Sequence, residues 1–278
     1  MPALTLPPPL TPLTGLTARL ATSGYAVLSA AALARLAGVA AESLADWQAL
    51  WDDLPPDAFM KDGGRYRRRR HGCFIVQPGG AGPGAASGGG STAGPAASAA
   101  VQAVPHRAHW QPVDYNALHG GIQRWFEPLA PQLAASPAWQ HLLLALAGQA
   151  AALAGLAPAA EPWFVEAHPF RIDTTDGIGR PTPEGAHRDG VDLVVVVLVA
   201  RVGIKGGETR VFEAQGPHGQ RFTLTEPWSA LLLDDARVIH ESTPIQPLDP
   251  AQGGHRDTLV LTFRRGGFQG PDQGPARA

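Results

Sequence analysis

Three residues in the C-terminal half of the sequence have types and a spacing that suit a metal ion. His187 and Asp189 are separated by one residue, and His240 ends a later β-like run. Side chains at positions i and i+2 of a strand point to the same face, so His187 and Asp189 can bind the same ion. Two imidazoles and one carboxylate on one side of a metal are typical of non-haem Fe(II) oxygenases, because the remaining positions stay open for substrate and O₂.

The His-x-Asp pair alone is weak evidence, since the chain contains 10 histidines. The alternative is that these histidines are hydrogen-bonded structural groups or surface residues. The surrounding sequence favours the metal, because the pair follows a Gly/Pro-rich stretch at 177–185 and precedes a long apolar run that begins at Val191. His240 follows after about four strand-like runs, and a closed β fold can bring it alongside the pair.

One arginine is a candidate for binding a carboxylate near this metal. Arg256 lies at the head of the strand-like run DTLVLTFRR. A guanidinium inside a β-barrel needs an anionic partner, and its planar fork suits a bidentate carboxylate. Arg264, near the other end of the same run, is the alternative. The choice depends on which end of the strand faces the metal.

Two further charged residues are candidates with open alternatives. Arg171 lies in the run HPFRID, on the opposite face from Phe170 and Ile172. If those two pack under flanking helices, Arg171 points into the barrel and binds a carboxylate; if they fill the barrel, it is an outward-facing ion pair. Glu184, just upstream of His187, either accepts a hydrogen bond from a substrate amine or is an exposed loop carboxylate.

The elements that would position these residues differ between the two halves of the chain. Residues 29–53 have apolar spacing typical of one or two helices, and residues 137–156 predict another. From Trp163 onward the chain consists of short β-rich runs: WFVEAHPFRID, VDLVVVVLVARV, ETRVFEA, QRFTLT, SALLLDD, ARVIHE and DTLVLTFRR. Many short strands without intervening helices predict an antiparallel sandwich or barrel.

We expect one domain over residues 1–278. Its predicted parts are an extended Pro-rich N-terminus at 1–14, a mostly helical support at 15–160, a β core at 161–265 and a flexible tail at 266–278. Residues 78–104 are rich in Gly, Ala and Ser, which predicts a flexible loop. This loop either separates two domains or is a surface insertion, and we favour the insertion because the sequence beyond it continues the same pattern.

Composition and charge exclude several classes of protein. The hydrophobic fraction of 44% excludes a fully disordered chain, and the formal charge of −2 gives no drive toward nucleic acid or acidic membranes. The arginine-rich run at 65–70 is either a phosphate-binding patch, or a strand edge or solvated face whose arginines pair with nearby acids. The lone Cys73 and the lack of a long apolar segment indicate a cytoplasmic protein. A small-molecule partner is expected, and an apolar face left exposed on the N-terminal helices would fit a homodimer.

Several stretches resemble, in order, motifs of the bacterial Fe(II)/2-oxoglutarate dioxygenases typified by L-isoleucine 4-hydroxylase, which act on free amino acids. The metal signature corresponds to PTPEGAHRDGVD at 181–192. The other similar stretches are DYN at 114–116, GGIQRWFEP at 120–128, GGET at 206–209, LLDDARVIH at 232–240, TPI at 243–245 and RDTLVLTF at 256–263. The resemblance covers most of residues 60–265, and the Gly/Ala/Ser insertion is the part that departs from the family.

The resemblance implies an α+β fold with a double-stranded β-helix, or jelly-roll, core. It implies that His187, Asp189 and His240 bind Fe(II), and that Arg256 holds the distal carboxylate of the co-substrate 2-oxoglutarate. It further implies O₂-dependent hydroxylation, or sulfoxidation of a thioether, of a free aliphatic L-amino acid or similar small molecule, with succinate and CO₂ as co-products. A non-catalytic jelly-roll binding protein and a hydroxylase of a macromolecule are the alternatives.

Overall fold

The computed structural model describes residues 5–79 and 98–271. The α-helices are α1 (Leu16–Ser23), α2 (Ala30–Ala37), α3 (Ala41–Ala45), α4 (Pro131–Ala134) and α5 (Pro137–Leu153). The strands are β1 (Tyr25–Leu28), β2 (Arg67–Arg69), β3 (Gly72–Gln77), β4 (Ala100–Ala103), β5 (Trp163–Asp173), β6 (Leu193–Val202), β7 (Ile204–Gly206), β8 (Thr209–Glu213), β9 (Gly219–Phe222), β10 (Ala230–Asp234), β11 (Val238–Ser242), β12 (Ile245–Pro247) and β13 (His255–Arg264). Short 3₁₀ turns lie at Leu13–Gly15 and Gln48–Trp51.

The larger sheet is antiparallel, with strand order β1-β10-β6-β13-β5-β3-β4, and β2 also pairs with β5. The strands alternate between two environments. On β5, one set of side chains packs into the main apolar core (Trp163, Val165, Ala167) and the alternate set lines a cavity (Phe164, Glu166, His168, Phe170, Ile172). The same period of two on β13 turns Leu259, Leu261 and Phe263 to the core.

Helices cover the face of the larger sheet opposite the cavity. Helix α2 begins where the Ser29 side chain accepts a hydrogen bond from the Ala32 N–H and ends at Gly38, whose φ of 66° suits glycine. Helix α5 starts with Pro137 in its first turn, and its buried side chains recur at helical spacing. Together with Trp51 and Trp139 these helices bury the apolar core against the sheet.

Two smaller sheets close the cavity from the other side. One has the order β11-β8-β9 and the other pairs β12 with β7. Isolated bridges join His187 to His240 and Gly179 to Ile245, so the loop before β6 is held against this layer. Two facing antiparallel layers with helices on one outer face confirm the predicted α+β jelly-roll fold.

The N-terminal half differs from the mostly helical support predicted for 15–160, because it also contributes β1, β2, β3 and β4 to the larger sheet. Part of the predicted loop at 78–104 is strand β4, which pairs with β3 through Gln77 and Ala100. Residues 80–97 of that prediction lie outside the described residues. β3 and β4, on either side of these residues, are neighbouring strands of one sheet.

The predicted flexible tail at 266–278 is also corrected in part. Gln269 is buried, and its side-chain amide donates hydrogen bonds to the carbonyls of Asp189 and Gly190, both at 2.9 Å. Residues 272–278 lie outside the described residues. Within the described ranges, the helices are too short or too polar to cross a membrane.

Candidate metal centre and its cavity

The three predicted metal ligands lie together between the two layers. His187 and Asp189 are on the loop before β6, and His240 is on β11, where its backbone exchanges hydrogen bonds of 2.9 and 3.0 Å with that of His187. The Asp189 oxygens lie 3.8 Å from His187 Nε2 and 3.9 Å from His240 Nε2. The donor atoms of all three lie within 4.8 Å of one another, close enough to bind one ion.

The state of the two imidazoles fits a metal. His187 Nδ1 lies 3.0 Å from the Gly185 carbonyl oxygen. When Nδ1–H donates to that oxygen, the lone pair of Nε2 is available on the side that faces Asp189. Burial, together with the neighbouring His187, lowers the pKa of His240 and keeps it neutral. Burial also opposes a positive charge on His187, but Asp189 and Glu184 outweigh it and raise its pKa, so a metal ion would take the place of the proton beside these carboxylates. Neutral imidazole nitrogens and one carboxylate form the donor set that Fe(II) takes in oxygenases.

A second carboxylate fixes the backbone around Asp189. The buried Asp235 side chain accepts hydrogen bonds from the backbone N–H groups of Asp189 at 3.0 Å, Gly190 at 2.7 Å and Val191 at 3.1 Å. Burial and the nearby Asp189 charge raise the pKa of Asp235 to about 7. Gly190 has a φ of 75°, and a Cβ there would lie 2.6 Å from the Tyr115 ring, so this turn requires glycine.

The cavity beside the metal centre has a charged wall at β13. Arg256 is buried and lines the cavity, and its guanidinium has no hydrogen-bond partner within residues 5–79 and 98–271. Burial, with Arg201 nearby, lowers its pKa to about 10. The predicted alternative, Arg264, also lines the cavity, at the opposite end of β13. Both arginines therefore face the same space.

Arg171 does not reach the cavity, which corrects its prediction as a co-substrate ligand. On β5 it lies on the face away from the cavity, directly across from Asp257 on β13. It donates to Asp257 at 2.7 and 2.8 Å and to Asp52 at 2.9 Å. Because Phe170 and Ile172 fill the cavity side, strand alternation turns Arg171 outward into a structural ion pair.

A second arginine-lined wall comes from the arginine-rich run at 65–70. Arg67 and Arg69 are buried and line the cavity, as does Arg124 from the loop before α4. Arg67 pairs with the buried Asp57 at 2.7 Å, while the Arg69 guanidinium lies between Phe126 and Phe170, 3.8 and 4.2 Å from their ring centres. The run is thus part of the cavity wall rather than a solvated face at these two positions.

The other arginines of the run point away from the cavity. Arg65 pairs with Asp176 at 2.8 Å, and Arg68 lies 3.7 Å from Asp173. Arg70 donates to the carbonyls of Pro128 and Asp53. This agrees with the alternative of a strand edge whose arginines are paired.

Glu184 lies in the cavity wall and is not an exposed loop residue. Its carboxylate Oε1 lies 3.6 Å from His187 Nε2, and its side chain is 12% exposed. The other oxygen, Oε2, is buried without a hydrogen-bond partner in the described part of the chain. Arg67 Nη2, Arg69 Nε and Arg124 Nε are also buried without a hydrogen-bond partner in the described part of the chain. The wall thus holds three unsatisfied donors on cations and one unsatisfied acceptor on an anion.

A cluster of buried imidazoles surrounds Glu166 at the base of the cavity. Glu166 Oε2 lies 2.8 Å from His71 Nε2 and 2.7 Å from His109 Nδ1, and His168 Nε2 is 3.8 Å away. These four residues have metal-ligand types, but Arg69 donates to His168 Nδ1 at 2.6 Å, which places the His168 proton on Nε2 toward Glu166. Hydrogen bonds therefore account for Glu166 and His109 in this cluster, while His71 Nδ1 is buried without a partner among the described residues.

Sequence reasoning gave no role to Gln111, Asn116 or Arg124, all buried at the cavity. Gln111 donates to the Asp189 carboxylate, and its carbonyl accepts from the other two. Their segment is neither helix nor strand, so no periodicity marks it. The signal available was that two of them fall in the stretches at 114–116 and 120–128 that resemble the dioxygenases.

Comparison with known proteins agrees with this geometry. Residues 48–262 match the family model described as 2OG-Fe dioxygenase. A crystal structure of a bsmA homologue from Methylobium petroleophilum PM1 is 50% identical, with a TM-score of 0.81, and the match covers 98% of this chain and 99% of that chain. No curated protein sequence matches significantly.

Two more distant structures share the fold. IDO from Bacillus thuringiensis is 16% identical with a TM-score of 0.67, over 91% of this chain and 95% of that chain. The Fe(II)/α-ketoglutarate-dependent dioxygenase TqaL is 17% identical with a TM-score of 0.63, over 95% of this chain and 90% of that chain.

Proposed function

Because the chain belongs to the 2OG-Fe dioxygenase family, we propose that it hydroxylates, or sulfoxidises, a free aliphatic L-amino acid or a similar small molecule. The protein is a 2-oxoglutarate-dependent Fe(II) dioxygenase, with Fe(II) as its metal and 2-oxoglutarate and O₂ as co-substrates. When bound, Fe(II) would supply the oxidation in which one atom of O₂ enters the substrate and the other enters succinate, while 2-oxoglutarate loses CO₂. We assign His187, Asp189 and His240 to hold it.

The observation that carries the substrate proposal is the set of unsatisfied charges in the cavity wall. Among the described residues, Arg67 Nη2, Arg69 Nε and Arg124 Nε are donors without partners, and Glu184 Oε2 is an acceptor without one. Arg67 and Glu184 are both electrostatic neighbours of Arg124, so the three charges lie close together. We propose that the carboxylate of an α-amino acid binds the donors of Arg67 and Arg124 while its ammonium group binds Glu184 Oε2, since buried polar groups need partners.

The co-substrate is assigned to the other charged wall. The Arg256 guanidinium is buried and has Arg201 rather than an acid as its main charged neighbour, which leaves its donors for an added carboxylate. We propose that it binds the distal carboxylate of 2-oxoglutarate. The arginines around Glu184 then remain for the substrate.

Apolar side chains between these charged walls support an aliphatic or thioether side chain on the substrate. These side chains are Phe164, Phe170, Val191, Val196, Val260 and Phe268. They exclude water from the region beside His187 and Asp189, so a C–H bond rather than a polar group would face the metal.

The first test measures succinate formation by protein reconstituted with Fe(II) without oxygen and then given O₂ and 2-oxoglutarate. Each common L-amino acid is added in turn, and His187→Ala protein is the blank. We expect an aliphatic or thioether amino acid to stimulate succinate formation in the wild type only. Iron binding without stimulation by any amino acid would contradict the substrate proposal and leave the metal assignment intact.

The second test addresses the paired charges directly, using the best amino acid of that panel. Its N-acetyl and carboxamide analogues remove the ammonium charge and the carboxylate charge separately. Each lost charged hydrogen bond should lower kcat/KM by at least about tenfold. Full activity with either analogue would contradict the assignment of that charge to Glu184 or to the arginines.

A further inference from the structure

A chain of buried side-chain hydrogen bonds connects the arginine wall with the metal centre. Arg124 Nη2 donates to the Gln111 side-chain oxygen at 2.9 Å, and Gln111 Nε2 donates to Asp189 Oδ1 at 3.0 Å. Asn116 Nδ2 donates to the same Gln111 oxygen at 3.0 Å. Gln111, Asn116 and Arg124 are 7%, 5% and 2% exposed, so solvent does not compete for these bonds.

The orientation of the Gln111 amide is fixed by its partners. Its oxygen accepts from two donors that cannot accept in return, so the amide nitrogen must face Asp189. Asn116 is fixed in turn, because its own oxygen accepts the His119 backbone N–H at 2.8 Å. A flipped amide would place two donors against Asn116 and Arg124 and an oxygen against the Asp189 carboxylate.

The segment that carries these residues is held closed by its backbone. His109 and Arg124 exchange hydrogen bonds of 2.9 Å, and the Gly121 N–H donates to the Gln111 carbonyl at 2.9 Å. A Cβ on Gly120 would lie 2.5 Å from the Asn116 carbonyl, so the turn packs too closely for another residue. Gln111 therefore rests on a rigid frame and can transmit a shift of Arg124.

We propose that Gln111 is a positioning residue that couples occupation of the substrate site at Arg124 to the state of the metal ligand Asp189. The inference rests on the proposed function, in which the substrate carboxylate binds Arg124. A carboxylate at the unpartnered Arg124 Nε draws the guanidinium toward the cavity and changes its bond to Gln111. Gln111 in turn changes the hydrogen bond that orients the Asp189 carboxylate and takes up part of its charge.

The variants separate this role from general packing. Gln111→Met keeps the side-chain length and removes both hydrogen bonds. Gln111→Glu keeps the acceptor for Asn116 and Arg124 and replaces the donor that faces Asp189, so it serves if the Met variant folds poorly. Gln269→Met is the matched control, because Gln269 donates to the same loop but only to main-chain oxygens of Asp189 and Gly190.

Two measurements that do not need turnover test the proposal. One is the Fe(II) dissociation constant under anaerobic conditions, which should rise about tenfold in Gln111→Met, as is typical when a hydrogen bond to a metal ligand is lost. The other is the visible charge-transfer band of the Fe(II)–2-oxoglutarate complex on adding L-isoleucine, L-leucine or L-methionine. We expect the amino acid to shift the band in the wild type and in Gln269→Met, and to shift it less or not at all in both Gln111 variants.

The outcomes distinguish the coupling from the substrate assignment. Gln111 variants that bind Fe(II) and shift the band as the wild type does would overturn the coupling alone. A wild type whose band responds to none of the amino acids would overturn the coupling together with the proposed substrate. A shift lost equally in Gln269→Met would overturn a specific role of Gln111 and assign the effect to the loop.

Discussion

Arg256 and Arg171 show how one side-chain type takes opposite roles on neighbouring strands. Arg256 on β13 faces the cavity without a hydrogen-bond partner among the described residues, while Arg171 on β5 faces away and pairs with Asp257. The buried Arg256 charge is costly in the empty protein and is stabilised only by an added anion. The Arg171 charge is compensated within the fold, and its Asp257 partner is 1% exposed.

This difference predicts opposite effects for the same substitution. Arg256→Met should weaken 2-oxoglutarate binding at least about 100-fold, since two charged hydrogen bonds are lost, without lowering the free energy of unfolding. Arg171→Met should lower that free energy by about 3–5 kcal/mol, because Asp257 is left as a buried charge, and should leave 2-oxoglutarate affinity unchanged. Titration calorimetry and urea unfolding measure the two effects, and equal losses of 2-oxoglutarate affinity would contradict the assignment.

At the same scale, sequence patterns identified the three candidate metal ligands but not Gln111 and Arg124, which connect Asp189 to the arginine wall. His187, Asp189 and His240 were visible because a short motif and a strand end carry them. Gln111 and Arg124 lie on a loop whose apolar residues follow neither a helical nor a strand periodicity. The backbone hydrogen bonds that close this loop leave no pattern in the sequence. For Arg171, the alternation of β5 left two choices, and the packing of Phe170 and Ile172 in the cavity decided between them.

Among the elements, the short 3₁₀ turn at Gln48–Trp51 connects the helical layer to the larger sheet. The fully buried Trp51 ring donates from Nε1 to the carbonyls of Phe170 on β5 at 3.0 Å and Thr258 on β13 at 3.2 Å. Those two residues pair across the strands that carry much of the cavity wall. One side chain therefore fixes the helical layer to the centre of the sheet.

We expect Trp51→Phe to lower the free energy of unfolding by about 2–4 kcal/mol, from a lost buried hydrogen-bond donor and unfilled volume. Trp125→Phe is the matched control, because Trp125 is 55% exposed and should change stability by less than about 0.5 kcal/mol. Chemical unfolding of both variants measures the difference. Similar losses in the two would mean that Trp51 does not anchor the helical layer.

The sequence predicts a strand well where apolar and polar side chains alternate clearly between its two faces. It does not predict a strand that forms only because a neighbouring strand offers backbone hydrogen bonds. The run WFVEAHPFRID coincides with β5 because its aromatic and β-branched residues alternate with the cavity residues. β4 was missed because Ala100–Ala103 has little intrinsic strand preference, and it is a strand because β3 offers an edge. The strands at 67–77 were likewise obscured by the arginine-rich composition.

Across the whole molecule, buried charges make stability depend on acidity. The Asp57 side chain is fully buried beside Arg67 and accepts a hydrogen bond from the Phe59 N–H. Burial raises the pKa of this carboxyl, but Arg67 and Arg69 outweigh it, and the pKa is held below its usual value of 3.8. In the unfolded chain the carboxyl takes up its proton near that usual value, so the folded state binds fewer protons.

The sign follows from this depressed pKa: the stabilisation is complete at neutral pH and is lost as the pH falls below about 5. Asp57→Asn should be less stable than the wild type at pH 7, and the difference should shrink as the pH falls toward 3. Urea unfolding across this range measures it. A difference that stays constant with pH would show that the effect of Asp57 is not electrostatic.

Cys73 can report on transient opening of the larger sheet. It is the only cysteine of the chain, it is buried on β3, and burial raises the pKa of its thiol. A thiol reagent can modify it only when β3 separates transiently from β4 and β5 on either side, since the thiolate form is suppressed in the closed state. The rate of labelling in native buffer would therefore report how often these strands separate, without any engineered probe. Slower labelling with iron and 2-oxoglutarate bound would show that ligands in the cavity make this separation of the strands less frequent.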